Sequence, residues 1–285
     1  MTPNMPLHRL AVWRDAAGRF SPLKAVTLLL VLIPATELAL RWALGDLGAQ
    51  PVKDVLHGLG DWTIRFLLLT LAVTPARVVL DWPGVVKLRR MLGVTAACYG
   101  GAHLLLYCTD QKWQLGTVVS EIALRFYLGI GFAALLMLGV LAVTSTDGWQ
   151  KRLGRRWKRL HRLVFLLLPL ALWHYFLQSK SDVSDAVFVT GLACWLVLWR
   201  LAPKRWQARA ALLPPLALLA GLAAAGIEAS WYGLATGVRG WLVLQANLDV
   251  TFGPRPAVTV VLWGLVVFLV ALLRRRVAVR VAAAG

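Results

Sequence analysis

Charged residues are scarce in this sequence, acidic ones above all, and long uncharged segments take their place. Only 15% of the 285 residues are charged, 13 of them acidic, whereas 59% are hydrophobic. This composition is unlike that of soluble globular domains and is typical of a protein embedded in lipid. The three cysteines have no C-x-x-C spacing, which argues against a zinc site or a paired disulfide framework. No G-x-G-x-x-G motif follows a strand-like run, so we do not expect the chain to bind a nicotinamide by itself.

Eight apolar runs are long enough to cross a membrane as helices, since a hydrocarbon core of about 30 Å takes roughly 20 mostly apolar residues. The seventh run contains Pro214 and Pro215, so it could also form a broken or re-entrant span. We predict an all-α, polytopic transmembrane helix bundle with a six-helix core and about two further C-terminal helices. The eight runs are 24–43, 61–80, 88–109, 122–144, 160–178, 184–202, 210–226 and 256–273.

Lysine and arginine give the chain a net charge of +18, and they cluster between the apolar runs. No DNA- or RNA-binding pattern accompanies these clusters, so we expect no nucleic-acid partner. If the helices alternate in direction, most of the 31 basic residues fall on one side of the membrane, the side that positive charge marks as cytoplasmic. We therefore expect both termini in the cytoplasm. The densest cluster runs from Lys151 to Arg162.

Two histidines lie within apolar runs at the same expected depth. His103 comes 15 residues after Leu88 and His174 comes 14 residues after Leu160, where their helices begin on the cytoplasmic side. At about 1.5 Å per residue, both imidazoles lie roughly 21–22 Å from that edge. Two neutral imidazoles at one depth on two helices can ligate the two faces of a haem. They could instead be core histidines that each have a hydrogen-bond partner.

A third histidine, His161, lies at the cytoplasmic boundary. It precedes His174 by 13 residues on the same expected helix, a separation of about 20 Å that suits a second redox centre. The basic residues just before it could hold haem propionates or a flavin phosphate. His161 could equally be an interfacial histidine beside charges that only fix the topology.

Three stretches of the sequence resemble the MsrQ/YedZ family, which are haem-binding membrane subunits of the bacterial methionine-sulfoxide reductase system, within the ferric-reductase-like transmembrane group. The resemblance covers roughly residues 20–202. His103 follows the second stretch by ten residues, and His174 follows the third. The stretches are R-F-L-L-L-T-L-A-V-T-P-A-R at 65–77, R-R-M-L-G at 89–93, and T-S-T-D-G-W-Q-K-R-L-G-R-R-W-K-R-L-H-R-L at 144–163.

The resemblance implies a protein of the bacterial inner membrane that binds haem b, with FMN also associated. Its electrons would come from the quinone pool or a cytoplasmic flavin reductase, and would pass to a periplasmic molybdopterin-containing methionine-sulfoxide reductase subunit. On this resemblance His103 and His174 are the axial ligands of the haem iron, and His161 is the candidate ligand of a second centre. The expected domains are a cytoplasmic tail (1–23), a haem domain (24–202) and a C-terminal extension (203–285).

Other functions stay open from the residues alone. A haem-binding chain could be a ferric reductase or a cytochrome b subunit for another periplasmic enzyme. A haem-free transporter or scaffold would use its histidines structurally and would be colourless, although the internal inverted repeats that favour a transporter are not evident. No constellation of residues suits the reduction of a sulfoxide, so we expect an electron-transfer subunit whose catalytic site lies on a partner.

Overall fold

The fold is that of a computed structural model. It describes residues 13–14, 18–180, 182–251 and 253–284, with side chains up to Arg276. The tail predicted for residues 1–23 therefore lies largely outside the described residues. Within them the regular elements are helices, apart from an isolated bridge between Arg14 and Phe20, and the predicted all-α class is confirmed.

Thirteen α-helices form in the described part of the chain, and several short ones continue or flank the membrane-spanning ones. Three 3-10 turns, Pro83–Leu88, His161–Leu163 and Ala210–Leu212, lead into the third, eighth and eleventh helices. The helices are α1 (Pro22–Ala43), α2 (Pro51–Val79), α3 (Arg89–Asp110), α4 (Leu115–Leu124), α5 (Phe126–Val143), α6 (Asp147–Leu153), α7 (Arg155–Leu160), α8 (Val164–Ser179), α9 (Ser184–Leu201), α10 (Lys204–Gln207), α11 (Leu213–Ala235), α12 (Gly240–Ala246) and α13 (Pro256–Ala284).

Eight segments of the described residues have the length and hydropathy to cross a membrane, so the predicted multi-pass bundle is confirmed. Each span consists mainly of apolar residues, and most of its backbone hydrogen bonds form within the helix, as a bilayer requires. The segments are Pro22–Ala43, Pro51–Val79, Pro83–Asp110, Phe126–Val143, Arg155–Ser179, Ser184–Leu201, Ala210–Ala235 and Pro256–Arg276.

Two helices differ from their predicted extents. α2 begins at Pro51 rather than near residue 61, so His57 lies inside it. Hydropathy marks where a helix enters lipid, whereas the backbone continues as a helix through the polar residues before that point. α11 is continuous because Pro214 and Pro215 fall in its first turn, where a missing N–H leaves no bond unmade. The alternative of a broken seventh span is therefore wrong.

The chain divides into two compact units. The first comprises the residues up to Thr70 together with Lys87–Ala171, and the second comprises Leu71–Val86 together with the residues from Leu172 onward. The predicted domain boundary between residues 202 and 203 is a different division, and it stays a prediction.

In the first unit, α3 hydrogen-bonds to α1 beside a proline. Pro34 lies inside α1, and its ring disturbs the helix bond that Ala35 would otherwise donate to Val31. The Tyr99 hydroxyl on α3 replaces that bond: it accepts from the Ala35 N–H at 3.0 Å and donates to the Val31 carbonyl at 2.7 Å. A side chain from α3 thus satisfies the backbone of α1, and fixes the two helices against each other.

In the second unit, an arginine side chain satisfies a backbone carbonyl of α2 that a proline leaves without its helix bond. Pro75 has no N–H to donate to the carbonyl of Leu71, and the Arg200 guanidinium on α9 donates to that oxygen at 2.6 Å. The unit is also held by close helix contacts at small residues. A Cβ on Gly264 of α13 would overlap the Cβ of Ala217 on α11. Close approach of backbones at such residues is how helices pack in lipid.

Candidate functional site

His103 is held in a defined orientation on α3. The residue is partly buried, and its Nδ1 lies 2.8 Å from the carbonyl oxygen of Leu56 on α2. A carbonyl oxygen only accepts hydrogen bonds, so Nδ1 carries the proton and Nε2 carries the lone pair. Haem-ligating and metal-ligating histidines are typically held in this way, with one ring nitrogen donating to a carbonyl. The donor chemistry at His103 therefore fits an iron ligand that binds through Nε2.

A glycine makes room for this imidazole. A Cβ placed on Gly60 of α2 would lie 3.1 Å from both Nδ1 and Cε1 of His103, which is closer than ordinary van der Waals contact. Gly60 comes one helical turn after Leu56, so the residue that accepts the hydrogen bond and the residue that leaves the space lie on one face of α2. Leu56 and Gly60 together form a cradle for the imidazole of His103. Any larger residue at position 60 would reduce the space for the ring.

Tyr99 lies on the same face of α3 as His103, one helical turn before it, and holds this face against α1 and α2. The Tyr99 hydroxyl bridges the disturbed backbone of α1, and its ring packs against Phe66 of α2 with centroids 5.0 Å apart. Because residues i and i+4 lie on the same side of a helix, Tyr99 and His103 present adjacent side chains to α1 and α2. These contacts fix the position of α3, and thereby the position of the imidazole.

His174 lies on α8, in the second unit. It is partly buried, and Pro169 precedes it inside the same helix. Two residues after it, Phe176 is buried and packs on Trp231 of α11 with ring centroids 5.1 Å apart. Packing of Phe176 fixes the rotation of the last turns of α8. His103 belongs to the first unit and His174 to the second, and each is held by the contacts of its own unit.

His161 lies in the 3-10 turn that leads into α8, within the same membrane-spanning segment, Arg155–Ser179, that carries His174. The Trp157 indole stacks on its imidazole at a centroid distance of 3.9 Å, and donates from Nε1 to the Thr144 carbonyl. Trp157 and His161 are four residues apart, a spacing that places two side chains on the same face of a helix, so the stack fixes the orientation of the imidazole.

The Thr144 side chain determines which nitrogen of His161 is protonated. Its hydroxyl donates to the Val140 carbonyl at 2.7 Å, and its oxygen lies 3.3 Å from Nε2 of His161. With the hydroxyl proton committed to Val140, Oγ1 accepts from the imidazole, so Nε2 carries the proton and Nδ1 the lone pair. A metal at His161 would therefore bind through Nδ1, the opposite choice from His103.

Two of the three stretches that carried the sequence resemblance contact each other in the first unit. Arg90, in R-R-M-L-G, forms an ion pair of 2.5 Å with Asp147 of the 144–163 stretch, and its Nη2 also lies 3.4 Å from Oε1 of Gln150. Between α6 and α7 the chain turns at Gly154, whose φ of +50° favours glycine. The basic residues of this stretch are exposed, and are available to an anionic group.

Sequence reasoning missed Leu56, Gly60 and Tyr99 as parts of the site. The first two fell before the predicted start of the second span, where hydropathy gives no signal. Tyr99 had a signal that was not used, since it precedes His103 by one helical turn and carries a hydroxyl in an apolar run. Thr144 and Trp157 were also missed, although both belong to the stretch that carried the resemblance.

The family model described as "Ferric reductase like transmembrane component" matches residues 59–172, which include His103 and His161. No solved structure matches the chain.

Several curated relatives carry the name protein-methionine-sulfoxide reductase heme-binding subunit MsrQ. The protein from Xanthomonas euvesicatoria is 41% identical over 174 residues, which cover 59% of this chain and 80% of that one. The protein from Rhodospirillum rubrum is 40% identical over 203 residues, which cover 70% of this chain and 95% of that one. The protein from Caulobacter vibrioides is 39% identical over 178 residues, which cover 62% of this chain and 83% of that one. With similarity at this level over most of each relative's length, the chain belongs to the MsrQ family of heme-binding subunits of protein-methionine-sulfoxide reductase.

Proposed function

We propose that this chain is the haem b-binding subunit of a bacterial methionine-sulfoxide reductase system, and that it passes electrons across the inner membrane to a periplasmic enzyme. The observation that carries the proposal is the hydrogen bond from His103 Nδ1 to the Leu56 carbonyl, which leaves Nε2 with the lone pair that iron needs. The names of the relatives support the same reading, because each is called a heme-binding subunit.

His103 and His174 are the proposed axial ligands. Both lie in membrane-spanning segments, where an ionisable side chain is costly and is by default a functional residue. When bound, a haem with two imidazole ligands supplies a one-electron redox centre. The chain's own residues hold and orient the imidazoles. Leu56 and Gly60 do this for His103, and the packing of Phe176 does it for the end of α8 that carries His174.

His161 is the proposed ligand of a second centre at the cytoplasmic boundary. The stack on Trp157 and the hydrogen bond to Thr144 hold its imidazole rigidly, as a ligand requires. The exposed arginines and lysines of α6 and α7 lie beside it along the chain, and guanidinium groups bind phosphate and carboxylate oxygens well. They would hold the propionates of a second haem or the phosphate of FMN.

The donor and acceptor are proposed from the family. The donor is the quinone pool or a cytoplasmic flavin reductase, and the acceptor is a periplasmic molybdopterin-containing methionine-sulfoxide reductase subunit. The chain would therefore act as an electron-transfer subunit, with the catalytic site on its partner. The clusters of basic residues support an orientation with both termini in the cytoplasm, because positive charge is retained on that side. This orientation directs the ends of α3 and α8 nearer His103 and His174 toward the periplasm.

Electron delivery tests the function directly. The purified chain is placed in proteoliposomes and reduced with a quinol, and a molybdopterin methionine-sulfoxide reductase subunit with a methionine-sulfoxide peptide is then added. We expect haem reoxidation that depends on the peptide, is lost in His103→Ala, and is kept in the control His57→Ala, whose side chain is exposed on α2. Reoxidation by ferric citrate alone, with none on addition of enzyme and peptide, would instead favour a ferric reductase, the alternative that the family model's description suggests.

A further inference from the structure

A charged residue is completely buried in the C-terminal part of the second unit. Glu228 lies in α11 with none of its surface exposed, inside a membrane-spanning segment. Its carboxylate pairs with the Arg255 guanidinium, and it accepts a hydrogen bond of 3.0 Å from the Asn247 side chain. Because a lone buried charge is very costly, the pair requires Arg255 to stay at the start of α13. The ion pair therefore fixes where the guanidinium lies.

The guanidinium of Arg255 uses only part of its hydrogen-bonding capacity on Glu228. It has five N–H donors, and among the described residues its side chain makes one hydrogen bond, to Glu228. Its Nε is buried without a partner, and one third of the side chain surface is exposed. A fixed arginine with unused donors is suited to bind an oxygen anion such as a phosphate.

A cleft of about 580 Å³ opens beside Arg255. Ser184 begins one span and Arg255 immediately precedes another, so the cleft lies at the level where these helices leave the bilayer. Its lining includes two acidic residues, Asp185 and Asp249. Hydrogen bonds from the Thr251 hydroxyl and backbone lower the pKa of Asp249, which keeps its carboxylate ionised at neutral pH.

The two aromatic residues of the cleft lie on its membrane side. Phe188 comes about one turn after Asp185 on α9, and Trp263 comes about two turns after Arg255 on the same face of α13. Both residues lie inside spans, whereas the charged residues lie at or before the span starts. The cleft therefore changes from charged to apolar along the direction in which a lipid changes from headgroup to acyl chain.

The charges select one kind of headgroup. Asp185 and Asp249 line the cleft together with Arg255, whose guanidinium already pairs with Glu228 and also interacts electrostatically with Asp182. Because the acidic groups outnumber this one guanidinium, a purely anionic headgroup is repelled. A headgroup with both an ammonium and a phosphate can place the ammonium against Asp185 and Asp249, and the phosphate against Arg255. We propose that this cleft binds the phosphoethanolamine headgroup of a membrane phosphatidylethanolamine, with an acyl chain along Phe188 and Trp263.

Native mass spectrometry tests the proposal. The full-length chain in detergent is mixed with equal amounts of phosphatidylethanolamine, phosphatidylcholine and phosphatidylglycerol. We expect one retained phosphatidylethanolamine, preferred about fivefold over phosphatidylcholine, since the choline headgroup keeps the charge but has no N–H to donate, and one net hydrogen bond is worth about that factor. In Asp185→Ala with Asp249→Ala the preference should disappear, because both side-chain acceptors for the ammonium N–H groups are removed.

The variants keep Arg255, because its removal would leave Glu228 buried without a counter-charge and could unfold the chain. Asp46→Ala removes an exposed carboxylate outside the second unit; it is the matched control and should keep the preference. Equal retention of the three lipids, or preference for phosphatidylglycerol, would overturn the proposal. Soluble glycerophosphoethanolamine should fail to displace the lipid, and full displacement at equal concentration would overturn the assignment to a lipid.

Discussion

Nδ1 of His103 on α3 lies 2.8 Å from the carbonyl oxygen of Leu56 on α2. The hydrogen bond fixes both the tautomer and the rotation of the imidazole, and it does so through backbone that no side-chain substitution removes. A carbonyl that accepts a hydrogen bond from a metal-ligating histidine orients the imidazole and raises its basicity. A change that lengthens this bond should therefore weaken haem binding while leaving the ligand itself in place.

Gly60→Ala is that change. The added Cβ would lie 3.1 Å from Nδ1 and Cε1 of His103, so the ring must move away from the Leu56 carbonyl. We expect haem affinity to fall about tenfold or more, the usual cost of losing an outer partner of a metal ligand. Titration of the haem-depleted chain with haem, followed by absorbance, measures it.

Gly101→Ala on α3 is the matched control, because a Cβ there meets nothing within 4 Å. It places the same substitution two residues from His103, and should leave haem affinity unchanged. If both variants bound haem as well as the parent, the cradle of Leu56 and Gly60 would have no role in ligation.

Tyr99→Phe should destabilise the first unit through the proline of α1. The substitution removes the hydroxyl that satisfies the Ala35 N–H and the Val31 carbonyl, and leaving such groups unpaired in an apolar environment costs about 1–3 kcal/mol. In a Pro34→Ala background the helix can make its own bonds, so the same substitution should cost much less. Unfolding of the four proteins of this double-mutant cycle in detergent gives the coupling. If Tyr99→Phe lowered the free energy of unfolding equally with Pro34 and with Ala at that position, the hydroxyl would not act through the proline.

His161→Ala should remove the second centre and preserve the spectrum that depends on His103 and His174. Thr144→Val should keep the centre but change its absorption, because the Nε2 proton of His161 loses its acceptor. Haem and flavin are counted per chain by extraction from the purified variants. Unchanged haem and flavin contents in His161→Ala would mean that this histidine has only a structural role, packing on Trp157 and bonding to Thr144.

Gly264→Ala should destabilise the second unit. Its Cβ would overlap Ala217 on α11, and overpacking of a close helix contact costs about 1–3 kcal/mol. Gly226→Ala on α11 is the control, because nothing lies within 4 Å of the added atom. The two variants are compared by thermal unfolding in detergent, and equal midpoints would contradict the close packing of α11 and α13.

The sequence predicted the spans well because hydropathy over 20 residues is a strong signal, and it placed His103 and His174 on helices that cross the membrane. It could not predict the Leu56 contact, since α2 continues about ten residues beyond the apolar run that revealed it. His161 was predicted within a regular helix because the sequence gives no signal for the 3-10 turn at His161–Leu163. Glu228 and Arg255 are 27 residues apart, and only the folded chain brings them together.

The reduced-minus-oxidised visible spectrum of the purified chain, with haem counted per chain, tests the central claim most directly. The parent and His57→Ala should give a sharp low-spin b-type signal, because two imidazoles make the iron low-spin. His103→Ala and His174→Ala should each lose that signal while the protein still inserts in the membrane. Full haem content in either variant would contradict the assignment of these two histidines as the axial ligands, and a colourless parent protein would contradict the haem-binding function itself.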